Sequence, residues 1–160
     1  MNNDTINSSY FNRELSWLEF NFRILSQIKL QNTKILEKIK FYSIFSSNLD
    51  EFFMVRIAHL KNILKKGLTT YDSPDQIEIQ ELLKKIHLKC QDHLKIRDSL
   101  FREKIIPLLN KENIYIKKFE DLSETDKENL KVKYHELIEP VLTPLAVDPS
   151  HPFPFLQNEK

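Results

Sequence analysis

One glycine in 160 residues, Gly67, restricts this chain more than any other feature of its sequence. Loops that cradle phosphate and turns that bind dinucleotides need several glycines, because backbone N–H groups reach the ligand closely only where no Cβ intervenes. A P-loop or dinucleotide-binding turn is therefore excluded. Tight β-hairpin turns also favour glycine at positive φ, so few hairpins are expected and the chain is predicted to be mostly helical.

Such a chain can still bury a core: 41% of its residues are hydrophobic, and 11 Phe with 5 Tyr argue against disorder. Its length suits one compact domain, or a small domain with part of a second attached. The lone cysteine, Cys90, cannot form an internal disulfide, and the start "MNNDTINSSY" lacks the basic and apolar layout of a signal peptide. No apolar run approaches the roughly 20 residues that span a bilayer. A cytoplasmic protein is expected, with any membrane association peripheral. Net charge is +1, but residues 1–66 hold 10 Lys/Arg against 6 Asp/Glu and residues 67–160 hold 14 against 17. The first part is mildly basic, well short of a nucleic-acid surface or a polyanion channel, so no nucleic-acid partner is expected.

Helical periodicity organises the chain. In "ELSWLEFNFRILSQIKL" the residues Leu15, Trp17, Leu18, Phe22, Ile24, Leu25 and Ile28 share one broad face. From Lys34 to Phe45 apolar side chains recur nearly all round the circumference, which predicts a buried central helix. Ser47 with Asp50, and Asn48 with Glu51, fit capping boxes, so a helix is predicted to restart there. Its stripe of Leu49, Phe52, Phe53, Ile57, Leu60, Ile63 and Leu64 ends at Gly67 as a C-cap. A long helix is predicted from Pro74, with Ser73 as N-cap and Gln76 completing a capping box. Its seam of Ile79, Leu83, Ile86, Cys90, Leu94, Arg97 and Phe101 runs to a bend or end at Pro107.

The texture changes after "NKEN". "IYI" is β-like, Ser123 and Asp126 open a capped helix, and the Pro-rich "PVLTPLAVDPSHPFPFL" looks like a lead-in to further chain. The expected architecture is all-α: residues 1–110 as an antiparallel helical bundle with one long helix, then residues 111–160 as a short mixed α segment that begins a second domain. The chain is expected to be a fragment of a longer protein.

Candidate sites are few. Glu14 and Arg56 both fall at the centre of apolar stripes, and a buried unpaired charge is costly. They are expected to pair with each other across the bundle, or else Arg56 serves as a phosphate ligand. His87, Cys90 and His93 are spaced to face a metal together, but Cys90 sits on the apolar seam as a small hydrophobe and no fourth ligand is evident, so no metal site is expected. His135-Glu136 lacks the second His of a zinc protease, and no catalytic triad emerges from five scattered histidines. Asn48 is either a cap or an amide open to read a purine edge.

The blocks "YFNRELSWLEFNFRIL" and "LEKIKFYSIFSSNLDEFFMVRIAHL", with the later "IEPVLTPLAVDPSHPFPFL", resemble the amino-terminal part of bacterial polyphosphate kinases. The resemblance covers nearly the whole chain and is carried by Glu14 to Asn21 and Ser47 to Arg56. It implies a four-domain, dimeric enzyme that extends inorganic polyphosphate from ATP, of which this chain is the helical first domain and the opening of the head domain. It implies that the phosphorylated histidine, the Mg²⁺ sites and the polymer tunnel lie in carboxy-terminal domains, so that no catalytic residue and no metal ligand is assigned here. It assigns to Asn48 a contact with the adenine of ATP, on a wall of the nucleotide pocket. The fragment alone is expected to be inactive. The other reading is a purely structural assembly module that touches no nucleotide.

Overall fold

The computed structural model describes residues 11–71 and 75–154. They are mostly helical, as the glycine count predicts, and they divide into two compact units between Tyr115 and Ile116.

In the first unit, helix α1 (Arg13–Ser26) begins at Asn12, whose side-chain oxygen accepts from the backbone N–H groups of Glu14 and Leu15. A single 3₁₀ turn, Gln27–Lys29, extends it. Leu18, Asn21, Leu25 and Ile28, three and four residues apart, form its buried line. The carbonyls of Ile28 and Leu30 at its end are taken by the ammonium of Lys38 from the next helix. Lys38 is only 4% exposed, whereas Leu36 is 67% exposed. The second helix is therefore not apolar all round, contrary to its sequence pattern, because it lies along one side of the core. Burial, and secondarily the neighbouring Lys104, lowers the pKa of Lys38.

Helix α2 (Ile35–Phe52) runs straight through the predicted restart. Neither Ser47–Asp50 nor Asn48–Glu51 caps anything, since an N-cap needs extended backbone and these residues are mid-helix. Burial of Phe45, Leu49 and Phe52 on one face carries the helix through the local capping signal. The break comes later and is gentler. Residues Phe53–Ile57 form a π turn, in which the N–H of Ala58 bonds the carbonyl of Phe53 five residues back. The buried line steps from Phe52 to Ile57, and Phe53, expected in the core, is 42% exposed. Helix α3 (Ala58–Lys65) follows and ends at Gly67, whose φ is +80°. The N–H of Gly67 bonds Leu64 and that of Leu68 bonds Ile63, a Schellman C-cap as the sequence predicts.

Helix α4 (Ile79–Leu100) starts at Ile79 rather than Pro74. Ser73 and Pro74 lie outside the described residues, and Gln76 has φ +50°, which no helix position allows. Its buried line is Ile79, Leu82, Ile86, Cys90 and His93, so Leu82 and His93 replace the expected Leu83 and Leu94, which are half-buried. Pro107 does not end the helix. A second π turn, Phe101–Ile105, precedes it, and helix α5 (Ile106–Lys111) carries on for about 50 Å of helix from Ile79. The wider turn makes room for a ring that would clash with the carbonyl four residues back. "IYI" makes no strand: Ile114 instead bonds back to the Leu109 carbonyl as the tail of α5. Among the described residues the only β pairing is the isolated bridge Asp148–His151.

The second unit contains a 3₁₀ turn at Phe119–Asp121 and helix α6 (Glu124–Lys133). Ser123 accepts from the Asp126 N–H and donates to its carboxylate, the cap expected from sequence. A third π turn, Tyr134–Ile138, precedes Pro140 as the second precedes Pro107. None of this unit's described residues is buried.

Candidate functional site

One buried side chain and one backbone carbonyl fix the geometry around Asn48. Asn21, fully buried on α1, donates from Nδ2 to the carbonyl of Phe45 at 3.0 Å. Asn48, one turn further along α2, donates from Nδ2 to Asn21 Oδ1 at 3.0 Å. The chain of bonds has one possible direction. A carbonyl only accepts, so Asn21 must turn its nitrogen to Phe45 and its oxygen to Asn48, and Asn48 must then donate. The Oδ1 of Asn48 and its second amide hydrogen make no hydrogen bond among the described residues.

Those groups open into a cleft of about 300 Å³ lined by Trp17, Phe20, Asn48, Glu51, Phe52, Val55 and Arg56. Trp17 stacks on Phe52 with ring centroids 4.7 Å apart and planes within 12°. Phe20 and Val55 of the lining are exposed. An amide with a donor and an acceptor to spare, set in an aromatic wall, has the chemistry to read a flat heteroaromatic edge.

Arg56 reaches this cleft because of the π turn. Continued as an α-helix, α2 would place residue 56 on the core face four residues after Phe52; the extra residue puts Ile57 there and moves Arg56 to the edge. Its guanidinium lies over Trp17, 5.6 Å from the ring centroid, with the side chain 33% exposed. The expected partner, Glu14, is 3.9 Å away and fully buried. Glu14 has closer partners that the sequence pattern did not reveal. Arg13 donates twice to Oε1, at 3.0 and 2.8 Å, and the Tyr71 hydroxyl donates to Oε2 at 3.2 Å. The hydrogen bond to Glu14, with its charge, raises the pKa of Arg13.

The histidine and cysteine series lies elsewhere. His87 is exposed; Cys90 is buried, which pushes its thiol up to about 11. His93 is buried against Phe22, ring centroids 4.3 Å apart, and burial lowers its pKa. Among the described residues no group of three or more His, Cys, Asp or Glu side chains is placed to hold a metal. A larger cleft of about 680 Å³, lined by residues of 30–38 and 104–112, contains none of the residues singled out from sequence.

Asn21 is the site residue that sequence reasoning passed over. Its signal was a polar residue in the line Leu18, Asn21, Leu25, Ile28, the same anomaly that drew attention to Glu14.

The sequence profile of the "Polyphosphate kinase N-terminal domain" matches residues 10–117. Polyphosphate kinases of Mycobacterium ulcerans and Mycobacterium marinum are 45% and 46% identical over 149 residues, 93% of this chain and 20% of each relative. The crystal structure of a polyphosphate kinase from Porphyromonas gingivalis superposes with a TM-score of 0.64 at 29% identity, over 92% of this chain and 20% of that one. The chain thus spans about a fifth of the length of the relatives it matches.

Proposed function

Because this chain belongs to the polyphosphate kinase N-terminal domain family, we propose that it is the amino-terminal part of an enzyme that transfers the γ-phosphate of ATP to inorganic polyphosphate. Its role there is to present a wall to the adenine of ATP, with Asn48 as the contacting residue. The observation that carries this reading is the unspent donor and acceptor of Asn48 in the Trp17–Phe52 cleft. In this reading the phosphoaccepting histidine, the Mg²⁺ ions and the polymer-binding surface belong to other domains of the enzyme. The stretch from residue 111 opens the next domain, the whole enzyme works as a dimer, and the fragment turns over no substrate.

One observation favours a second reading. The bond from Asn48 to the buried Asn21 also fastens α2 to α1, which is all that an assembly module would need. Kinetics of the full-length enzyme separate the two. If Asn48 reads adenine, N48A raises the ATP KM more than N21A does, although N21A is the more destabilising change. If both leave KM at the wild-type value and lower only the melting temperature, the assembly reading stands.

A further inference from the structure

We propose that Arg56 is a second nucleotide-binding residue of this cleft, its guanidinium taking the phosphate next to the ribose while Asn48 holds the base; the inference rests on the adenine reading of Asn48.

Glu14 does not account for Arg56. That carboxylate already accepts two hydrogen bonds from Arg13 and one from Tyr71. The Arg56 contact, at 3.9 Å, is an ion pair beyond hydrogen-bond distance. No N–H of the Arg56 guanidinium makes a hydrogen bond among the described residues, so a planar fork of five donors is held in place with its donors unspent. Such a fork matches phosphate oxygens better than any other side chain.

What holds it also aims it. Trp17 lies beneath the cation at 5.6 Å and Glu14 attracts it from the buried side, leaving the solvent side to the cleft. Glu51, exposed on the rim, is the one acid in the lining and forms no ion pair with Arg56. The guanidinium is therefore the cation this cleft presents, its charge shared with Glu14 but its N–H donors unspent.

The spacing suits one ligand spanning both residues. Positions 48 and 56 are separated by roughly 12 Å of helical rise, and side chains lean toward the helix N-terminus, which brings a long Arg side chain back toward Asn48. Both residues line the same cleft of about 300 Å³, so one ligand can reach both. The π turn is what makes this geometry available, because an unbroken helix would bury Arg56 in the core.

The test uses adenosine and AMP as competitive inhibitors against ATP in the full-length enzyme. R56M raises the inhibition constant of AMP at least about tenfold, equivalent to 1.4 kcal/mol, and leaves that of adenosine within about twofold. R56Q, which keeps a polar tip for Glu14, gives the same AMP-selective loss should R56M fail to fold. A loss shared by adenosine, or no loss for AMP, overturns the proposal. N48A is measured in parallel and weakens both inhibitors alike. If it spares adenosine, the adenine reading fails by itself, while the AMP-to-adenosine ratio of the Arg56 variants still decides whether Arg56 meets a phosphate.

Discussion

Replacing Asn21 by Ala tests the centre of the site, because the structure dictates how the cost divides between Asn21 and Asn48. Asn21 is fully buried and makes two hydrogen bonds, to Phe45 and from Asn48. Each is worth about 1 kcal/mol net, and the small cavity adds to that, so N21A should cost about 2–3 kcal/mol. Neither former partner is stranded. The Phe45 carbonyl is also a helix acceptor, and the half-buried Asn48 amide can turn to water. N48A removes only one bond, but it leaves the buried Oδ1 of Asn21 without a donor, so it should cost about 1.5–2 kcal/mol. Once Asn21 is gone Asn48 has nothing left to hold, and the double variant should cost about what N21A costs alone. Urea denaturation of the chain followed by Trp17 fluorescence reads this directly, since Trp17 is the sole tryptophan and lines the same cleft. Additive losses, within about 0.3 kcal/mol, would refute the bonded chain on which the amide orientation rests.

Three further outcomes follow from single residues. G67A meets no steric neighbour, as nothing lies within 4 Å of the added Cβ, so its cost is the left-handed backbone alone, about 1 kcal/mol in a thermal melt, with G67N milder. Burial raises the Cys90 thiol from 9.0 to about 11, so the unfolded chain ionises first and stability falls by about 1.4 kcal/mol per pH unit as pH rises from 9 to 11; C90A removes that component, as paired denaturation curves will reveal. His93 has its pKa lowered by burial, which outweighs Glu19 and Asp92 pulling it up and is reinforced by Lys89, so stability is present above the unfolded value near 6.5 and is lost as pH falls below it. H93L should flatten that acid limb in a pH series of melts.

The all-α class and the caps at Gly67 and Ser123 were legible because each depends on local chemistry: a missing Cβ, or a hydroxyl three residues from an N–H. The errors cluster where a distant residue decides. Capping boxes at Ser47 and Asn48 read correctly as local patterns, but Phe45, Leu49 and Phe52 bury one face of α2 and leave no extended residue for a cap. Lys38 counts as a polar break on a helical wheel, yet it enters the core because two carbonyls at the end of α1 need a donor. A π turn is hardest to read. It has no composition of its own, and it rotates every later residue on the wheel. Only at Phe101–Ile105 and Tyr134–Ile138 does a following proline mark the place, two residues beyond.

The two roles considered for Asn48 do not compete for the same atoms. Fastening α2 to α1 uses one amide hydrogen, and it uses it in an orientation set by the Phe45 carbonyl two bonds away. A free Asn on a helix surface can present its oxygen and nitrogen either way round, which halves its value for telling one base edge from another. Here the buried bond removes that freedom, so the side facing the cleft always offers Oδ1 and one N–H in a single order. The structural bond thus fixes the exposed part of the amide in the single orientation that the proposed reading of a base edge requires. A fully buried asparagine at position 21, in the line Leu18, Asn21, Leu25 and Ile28, therefore does two things: its satisfied hydrogen bonds hold α1 to α2, and they set the orientation of its neighbour.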